Sequence, residues 1–403
     1  MRLDDALQLS HVNASELAHL LMEVFPNIRQ EESEVFYCKD NDGWAICLQY
    51  KGDAVISAKE GAQLTTEDLA MLGMRVQSDL LGVGTRVIGR EIVFTTLPVR
   101  GVLRVDDLFQ LSPVPEHAPR ANSLLGDHPC VLEIPYIAAR AAWLDSARYG
   151  LASRDLELLL NVLLNGGVRR AARDRGPCWI VESPVAGSLA QSHIAAKGYH
   201  FAPWNFDPHT FSSETGVPAM QVVDREMYYH RLGTMPPFEQ EVASDTASLV
   251  RLFFGLPVDK RSVGLRAAHW YLHAAEARAT SSSGALVALI CAIESMLPPA
   301  PAAQSCDRCG RSTGPSVTQR FRDFLEEIVP SHNDEDVSAR TKLYRLRSKL
   351  AHGGDLMRGD LHPEHYIHPA TSEEHGQIWH AGALVRFAII NWIYKQSLQK
   401  VQC

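Results

Sequence analysis

The strongest constraint on the fold of this 403-residue chain is a change of sequence pattern near residue 234. Before that point, alternating apolar and polar residues predict strands, with helical segments between them. After it, apolar residues recur at helical spacing in six successive segments, at residues 241–256, 260–279, 283–297, 316–329, 339–354 and 375–399. Successive helices of this length favour a bundle. The sequence therefore predicts an α+β N-terminal region followed by an all-α helical bundle.

On this basis we predict two domains, residues 1–235 and residues 236–403. The first is assigned a sensor or regulatory role, and a stretch rich in proline and histidine at 112–128 offers a boundary between two subdomains within it. In the second, residues 298–315 form an inserted loop, because their prolines and glycines cannot continue a helix.

Local patterns in the N-terminal region predict both strands and helices. Residues 44–50 and 53–58 have the composition of two strands joined by a short turn, which predicts a hairpin. Apolar residues at helical spacing predict helices at 13–25, 65–81 and 154–174. This region contains no phosphate-binding glycine loop and no dinucleotide-binding motif, so its residues indicate no particular chemistry.

The charge balance limits how the chain could bind nucleic acid. It carries 47 Asp and Glu against 39 Lys and Arg, a formal net charge of −8. Proteins that coat nucleic acid non-specifically depend on neutralising many phosphates, and this balance excludes that class. Any nucleic-acid site must therefore be a local basic patch.

Cysteine usage and the first residues favour an intracellular protein. The eight cysteines are scattered apart from one close pair, and MRLDDALQLS has acids where a secretion signal carries basic residues. The longest apolar run, residues 285–293, falls well short of the roughly 18 to 20 residues that cross a bilayer. We expect a cytoplasmic protein with reduced thiols and no membrane partner.

The most informative short stretch is LYRLRSKLAHGG, residues 343–354, which is basic and contains no acid. Its leucines recur at i, i+3 and i+7 and predict one buried face of a helix, formed by Leu343, Leu346 and Leu350. The Gly-Gly pair at 353–354 predicts the end of that helix just after His352.

The remaining side chains of this helix can be placed around its axis. At about 100° per residue, Ser348 lies one turn from His352 on the face away from the leucines, with Arg345 beside them. Arg347 lies about 140° from His352, so the two can meet only through a long side chain or across an interface with a second copy. Taken alone, such a helix is typical of a solvated face with cations near the negative end of the helix dipole.

Residues 238–400 nevertheless resemble the HEPN superfamily, the higher eukaryote and prokaryote nucleotide-binding domains, and within it the ApeA-like group of bacterial defence proteins. The family motif is an Arg, four to six residues and a His, and it stands here as Arg347-Ser-Lys-Leu-Ala-His352, followed by Gly353. Glu294 stands on a preceding helix where the family usually carries an acid. Residues 1–235 show no comparable resemblance.

The resemblance implies an endoribonuclease that needs no cofactor for catalysis, with Arg347, Ser348 and His352 as catalytic residues. An RNA 2′-hydroxyl can attack the neighbouring phosphate if a base removes its proton and the developing charge is stabilised. His352 suits the acid–base steps because imidazole titrates near neutral pH. Arg347 offers a planar fork of donors to phosphate oxygens, and Ser348 would bind the phosphate or orient His352.

The same resemblance implies the partners. Arg345 and Lys349 would contact the RNA backbone, Glu294 would support the site, and the substrate would be mRNA or tRNA. HEPN domains usually form homodimers in which the two motifs face one cleft, so Arg347 of one chain could serve the same phosphate as His352 of the other. The expected use is anti-phage defence by toxin-like RNA degradation, with a phage-derived trigger acting on the N-terminal region.

Two alternatives to the nuclease remain open. One is a non-catalytic HEPN module, which dimerises or binds nucleotides or RNA through the same Arg and His. The other is a regulatory protein that uses the domain to bind a partner. Having both Arg347 and His352 favours the nuclease, because loss of either would favour the non-catalytic module.

Cys306 and Cys309 have the C-x2-C-G form of half a zinc site. A structural zinc would need further ligands, either from a second copy or from His362, His365 and His368. The alternative is two free thiols in a loop.

The aromatic residues Trp270, Tyr271 and Trp392 lie in apolar helical patterns. We predict that they belong to the core and do not stack on bases.

Overall fold

A computed structural model of the protein describes most of residues 84–399 and several strands before them. Described are residues 22, 27–31, 34–38, 45–51, 53–58, 73–74, 78, 84–116, 118, 128–170, 180–181, 193–194, 207–212, 216–230, 238–278, 280–299, 315–361 and 369–399. The chain forms two compact units. The first comprises residues 1–89, 134–153 and 206–211, and the second comprises residues 90–133, 154–205 and 212–403.

The first unit contains a four-stranded antiparallel sheet in sequence order. Its strands are β1 (Asn27–Glu31), β2 (Glu34–Cys38), β3 (Ala45–Lys51) and β4 (Asp53–Ala58). Lys51 pairs with Asp53 and Tyr50 with Ala54, so the hairpin predicted here is confirmed. The helices predicted at 13–25 and 65–81 lie almost entirely outside the described residues.

A five-stranded sheet forms the second β structure of the N-terminal region. Its strands run in the order β6-β7-β8-β5-β9, with the bounds β5 (Arg86–Thr95), β6 (Leu103–Val105), β7 (Phe109–Pro113), β8 (His128–Ile137) and β9 (Arg169–Arg170). Within β7 the first four residues are all buried, which indicates that both faces are covered there. The buried carboxylate of Glu133 is fully engaged, because it accepts hydrogen bonds from Arg90, Gln110 and Ser212.

Helix α1 (Ala142–Leu163) begins earlier and ends sooner than the sequence indicated. The predicted helix continued to residue 174, and this prediction was wrong because two glycines follow the helix. Gly167 has a φ of +60°, in the left-handed region where glycine is not strained. The Asn161 side chain then bonds both the amide and the carbonyl of Val168, which fixes the exit of the chain.

The C-terminal region is mainly helical, as predicted. Short strands β10 (Ile180–Val181), β11 (His193–Ile194), β12 (Val222–Val223) and β13 (Val242–Ala243) precede or separate the first of its helices. Helix α2 (Arg225–His230) lies before the predicted boundary at residue 235. The helices after it are α3 (Thr246–Phe254), α4 (Val258–Ala277), α5 (Ser282–Glu294), α6 (Val317–Ile328), α7 (Asp334–Ala351), α8 (Arg358–Leu361) and α9 (Pro369–Gln399). The fold class, an α+β N-terminal region followed by a mainly helical region, is confirmed; the short strand β13 lies at the start of the second region.

Helix α5 lies at the centre of the helical region because it is apolar on every side. It packs against α4, α7, α8 and α9, and most of its residues are buried. Ser281 caps its start by accepting a hydrogen bond from the amide of Gly284 at 2.9 Å. A helix without a polar face is stable only in such surroundings.

Helix α7 starts with strong signals for a helix N-terminus. The Asn333 side chain accepts a hydrogen bond from the amide of Asp336 at 2.9 Å, and Asp334, Glu335 and Asp336 fill the first turn. Acids in this position are stabilised by the positive end of the helix dipole. Leu343 and Leu350 are buried as predicted, whereas Leu346 is only partly buried.

The long helix α9 is joined to the end of α1 by one arginine. Arg386 is 3% exposed. Its guanidinium donates to the carbonyl oxygens of Val162 and Leu163 and to the side chain of Asn165. The carbonyls at the end of a helix lack partners within the helix, so a buried cation that satisfies them stabilises the junction.

The second compact unit includes residues on both sides of the domain boundary predicted at residue 235. Strand β13 pairs in parallel with β12. The backbone N–H of Gln240 donates a hydrogen bond to the carbonyl oxygen of Pro98 at 2.9 Å. The division at 235 stays a prediction about domain organisation.

Among the described residues, no helix has the length and apolar character needed to cross a membrane.

Candidate active site

The backbone at the end of α7 is closed by the two glycines that the sequence indicated. Gly353 has a φ of +70°, which glycine adopts without strain. Its amide bonds to the carbonyl of Leu350 at 3.2 Å, and the amide of Gly354 bonds to the carbonyl of Lys349 at 2.9 Å. This pair of bonds is a Schellman motif. It fixes the backbone of His352, the residue that directly follows the helix.

Arg347 is held against the neighbouring helix α5 by an acid. Its Nη2 donates to Glu294 Oε2 over 2.6 Å. The other carboxylate oxygen, Oε1, accepts a hydrogen bond from the Tyr344 hydroxyl at 3.2 Å. The side chains of Arg347 and Glu294 are 22% and 20% exposed. The guanidinium is therefore oriented by two helices, and it is not a fully solvated cation on a helix surface.

The guanidinium of Arg347 uses few of its donors within the fold. An arginine has five N–H groups, and Nη2 makes the one ion pair described. Nε is buried and has no hydrogen-bond partner among the described residues, so the donors that a ligand could reach are the other N–H groups of Nη1 and Nη2. The cation thus combines a fixed orientation with remaining donor capacity, which suits recognition of an anion such as a phosphate.

Two neighbouring side chains are influenced by this ion pair. Burial, followed by the charge and hydrogen bond of Glu294, raises the pKa of Tyr344 above its usual value. Tyr344 therefore remains a hydrogen-bond donor to Glu294 at neutral pH. Burial also raises the pKa of Cys291, with Glu294 adding to the effect and Arg347 opposing it. Cys291 is therefore a neutral thiol beside the ion pair.

The other predicted site residues lie at the surface of the same helix end. Ser348 is partly exposed, whereas Arg345, Lys349 and His352 are exposed. No side-chain hydrogen bond joins Ser348 or His352 to another residue in the described part of the chain. About 140° separates Arg347 from His352 around the helix axis, so one copy of α7 does not place them face to face.

The segment after the motif is tied to the rest of the helical region. Asp360 accepts hydrogen bonds from the Ser281 hydroxyl and from the amides of Ser282 and Ser283, at the start of α5. Burial alone would raise its pKa, but the hydrogen bonds from Ser283, Ser282 and Ser281 hold the pKa of Asp360 below its usual value. The carboxylate is therefore ionised at neutral pH and anchors the chain just after His352.

A pocket with a volume of about 370 Å³ opens next to this helix end. Leu350 and Ala351, the two residues before His352, form part of its wall. Trp270 and His273 of α4 form another part, and Leu356 a third. Trp270 and Tyr271 are only partly buried, whereas Trp392 is buried as predicted.

The predicted zinc residues cannot be placed. Cys306 and Cys309 lie outside the described residues, and so do His362, His365 and His368. Within the described ranges, no group of three or more His, Cys, Asp or Glu side chains is arranged to hold a metal ion.

Tyr344, Cys291 and Trp270 were assigned no functional role from the sequence. Tyr344 and Arg347 are three residues apart and share one side of α7, and Cys291 and Glu294 share one side of α5 in the same way. That spacing is the signal that could have indicated Tyr344 and Cys291 as neighbours of the ion pair. Trp270 has no such signal, because its exposure depends on how α4, α5 and α7 pack.

Comparison with family models, with curated proteins and with solved structures finds no match to this chain. The case for a function therefore depends on the residues at the end of α7 and on their geometry.

Proposed function

We propose that the protein is a metal-independent endoribonuclease of the HEPN type, with its active site at the end of α7. The observation that carries the proposal is the orientation of Arg347 by Glu294. The cations of a solvated basic face are not held in one direction, whereas Arg347 is. It is supported by His352, whose exposed side chain lies one residue beyond the same helix. Both residue types are those that RNA cleavage by a 2′-hydroxyl requires.

The proposed reaction transfers a phosphoryl group within the RNA strand. The 2′-oxygen forms a bond to phosphorus while the bond from phosphorus to the 5′-oxygen breaks. A base takes the proton of the 2′-hydroxyl, and an acid returns a proton to the leaving 5′-oxygen. The products are a 2′,3′-cyclic phosphate and a 5′-hydroxyl, with no oxidation or reduction.

His352 is assigned the acid–base role in this reaction. Its imidazole can accept one proton and donate another, and general acid–base catalysis typically contributes on the order of 10²- to 10⁴-fold. The Schellman ending fixes its backbone while its side chain remains exposed. An RNA strand on the surface could therefore reach it without displacing an existing hydrogen bond from the described part of the chain.

Arg347 is assigned the stabilisation of negative charge on the phosphorus oxygens. Donors that are already oriented stabilise a transition state more than mobile donors do, because little reorganisation is needed when the charge develops. Glu294 supplies that orientation, and Tyr344 in turn orients Glu294. The carboxylate also offsets part of the positive charge of Arg347.

The remaining positive charge for RNA binding is assigned to the surface of α7. Arg345 and Lys349 are exposed and make backbone-phosphate contacts in this proposal. Ser348 lies one turn before His352 on the same face and binds the phosphate or orients the imidazole. A second copy of the chain completes the site, because Arg347 and His352 lie on different sides of one helix.

We further propose that this nuclease is cytoplasmic and acts in anti-phage defence, in line with the resemblance to ApeA-like proteins. An enzyme that degrades cellular mRNA or tRNA must be restrained in a healthy cell. The N-terminal region, which contains the four-stranded and the five-stranded sheet, is proposed to provide that restraint and to respond to a phage-derived trigger.

A second candidate function is a non-catalytic module that binds nucleotides or RNA. One observation favours it, since the ion pair between Arg347 and Glu294 would also suit an arginine with a purely structural role. The two candidates differ in whether His352 is needed for any chemical change in the RNA.

The test is cleavage of total RNA and of a defined tRNA by the full chain in EDTA. We expect the wild type to cut both, slowly if it is restrained, and His352→Ala to leave both intact. His332→Ala is the matched control, because His332 is exposed at the opposite end of α7. If wild type and His352→Ala leave RNA equally intact at high protein concentration but bind it equally well, the non-catalytic module is the better account.

A further inference from the structure

The pocket beside the end of α7 has a composition that the proposed reaction does not use. One wall is the indole of Trp270, and the rest is mainly apolar, with contributions from Val287, Leu350 and Leu356. Leu356 is 51% exposed, so this side of the pocket is open to solvent. An apolar recess with an aromatic wall is typical of a site that receives a flat ring.

Trp270 contacts an imidazole that also lines the pocket. The rings of Trp270 and His273 lie 5.8 Å apart at an angle of 70°. His273 is exposed, so its imidazole can bind a phosphate next to a ring that occupies the pocket. A flat ring joined to a phosphate is a nucleotide.

The serine hydroxyls that line the pocket already make hydrogen bonds within the protein. The Ser281 hydroxyl accepts from the Gly284 amide and donates to Asp360. The Ser283 hydroxyl accepts from the amide of Met357 at 2.9 Å. These groups have little remaining capacity to read the edge of a base, so the pocket favours stacking over base-specific hydrogen bonding.

The position of the pocket links it to the proposed active site. Leu350 and Ala351 line it, and His352 is the next residue along the chain. A base that lies in the pocket would therefore belong to a nucleotide one or two positions along the RNA strand from the phosphate at His352. The volume of about 370 Å³ leaves room for one nucleobase and its ribose, and not for a duplex.

We infer that this pocket is a base-binding subsite, in which Trp270 stacks on one unpaired nucleobase of a single-stranded RNA beside the phosphate that is cut. This inference rests on the proposed function and adds its substrate class, RNA with an unpaired base at the cut. Because stacking is tolerant of sequence, the subsite prefers purines to pyrimidines only modestly. A double-stranded RNA would not fill it.

The test measures binding by the full chain of a fluorescein-labelled hexanucleotide of 2′-fluoro RNA, which lacks the nucleophile and cannot be cut. A second set of hexanucleotides has an abasic site at each position in turn. We expect loss of one particular base to weaken binding to the wild type. Trp270→Ala should bind the intact strand about 5- to 150-fold more weakly, the range typical of losing one base–aromatic stacking contact, and should no longer distinguish the abasic strand.

The controls separate stacking from damage to the fold. Trp270→Phe keeps an aromatic face and should retain most of the affinity. Trp379→Ala should bind like the wild type, because Trp379 does not line the pocket. Its side chain is 48% exposed, and the guanidinium of Arg278 lies over one face of its ring, 4.2 Å from the centroid. Sedimentation of each variant reports whether the oligomeric state has changed.

Three results would overturn the inference. Trp270→Ala could bind RNA as tightly as the wild type does, or lose affinity equally for intact and abasic strands. It could also change the oligomeric state, which would make the pocket an interface between two copies of the chain. If the wild type cleaves RNA in any of these cases, the proposed function survives without the subsite, whereas a wild type that neither binds nor cleaves RNA overturns both.

Discussion

Two arginines of the helical region show how differently one residue type can be used. Arg386 is 3% exposed, and all three of its nitrogen atoms donate to groups at the end of α1. Arg347 is 22% exposed, and its terminal nitrogens make one described hydrogen bond, from Nη2 to Glu294. The first arginine is committed to the fold, whereas the second is oriented by the fold and retains donors for a ligand.

This difference suggests a general criterion for separating structural from functional cations. A structural arginine satisfies groups that would otherwise be unpaired, and its removal costs the desolvation of those groups. A functional arginine is held by one or two contacts that fix its direction, and its removal costs mainly the interaction with the ligand. Stability and activity measurements on matched variants can test this assignment.

The largest expected effect is on catalysis at the end of α7. We expect Arg347→Ala to lower the rate constant for RNA cleavage by on the order of 10³-fold, because a preoriented donor to the transition state is lost. The free energy of unfolding should fall by only about 1 to 3 kcal/mol, because one mostly buried carboxylate, that of Glu294, loses its cation. Single-turnover cleavage and urea denaturation measure the two quantities, with exposed Lys342→Ala on the same helix as control. If Arg347→Ala lowers the stability but leaves the cleavage rate unchanged, Arg347 is a structural arginine like Arg386.

The second effect concerns Arg386 and stability. We expect Arg386→Met to lower the free energy of unfolding by about 3 to 4 kcal/mol, because it leaves two buried carbonyls at the end of α1 without a donor. Urea denaturation followed by circular dichroism gives this value. Arg345→Met, at an exposed arginine, should stay within about 0.5 kcal/mol of the wild type. Equal stabilities for the Arg386 variant and the wild type would show that its hydrogen bonds are not needed.

A smaller effect should follow from removing the charge of Glu294. Glu294→Gln retains an oxygen that can accept from Arg347 but loses the charge-assisted part of the bond, roughly half of its strength. We expect about a tenfold fall in kcat with KM nearly constant, because the change acts on orientation and not on RNA binding. An unchanged kcat would mean that Arg347 does not depend on Glu294 for its direction.

The smallest effect should come from the hydroxyl that orients Glu294. Tyr344→Phe removes a single neutral donor, worth about 0.5 to 1.5 kcal/mol, so kcat should fall by roughly 2- to 10-fold. In the double variant with Glu294→Gln, the two losses should combine to less than their product, because both act through Arg347. Independent losses would indicate that Tyr344 acts by another route.

Much of the helical region could be predicted from residue patterns alone. The six apolar segments all form helices, and the Gly-Gly pair after His352 ends α7 by the motif that its composition indicates. These features depend on local periodicity and on the conformational freedom of glycine, both of which are visible in a single sequence. The end of α1 was missed because two glycines were read as part of a longer apolar pattern.

The candidate site could be predicted only in part, because it depends on contacts between helices. Arg347, His352 and Glu294 were indicated by the resemblance to the HEPN motif, whereas the basic helix taken alone indicated only a solvated face. Tyr344 and Trp270 were not indicated, because residue order does not give the angle at which α4, α5 and α7 pack. The pocket beside Trp270 arises from that packing.

The most direct test of the central claim is the chemistry of the product ends when the wild-type chain cuts a defined tRNA in EDTA. Attack by the 2′-hydroxyl predicts a 2′,3′-cyclic phosphate on one product and a 5′-hydroxyl on the other, with no such products from Arg347→Ala or His352→Ala. Products with a 3′-hydroxyl and a 5′-phosphate, or cleavage at the wild-type rate by a variant lacking both residues, would contradict the assignment of the active site to the end of α7.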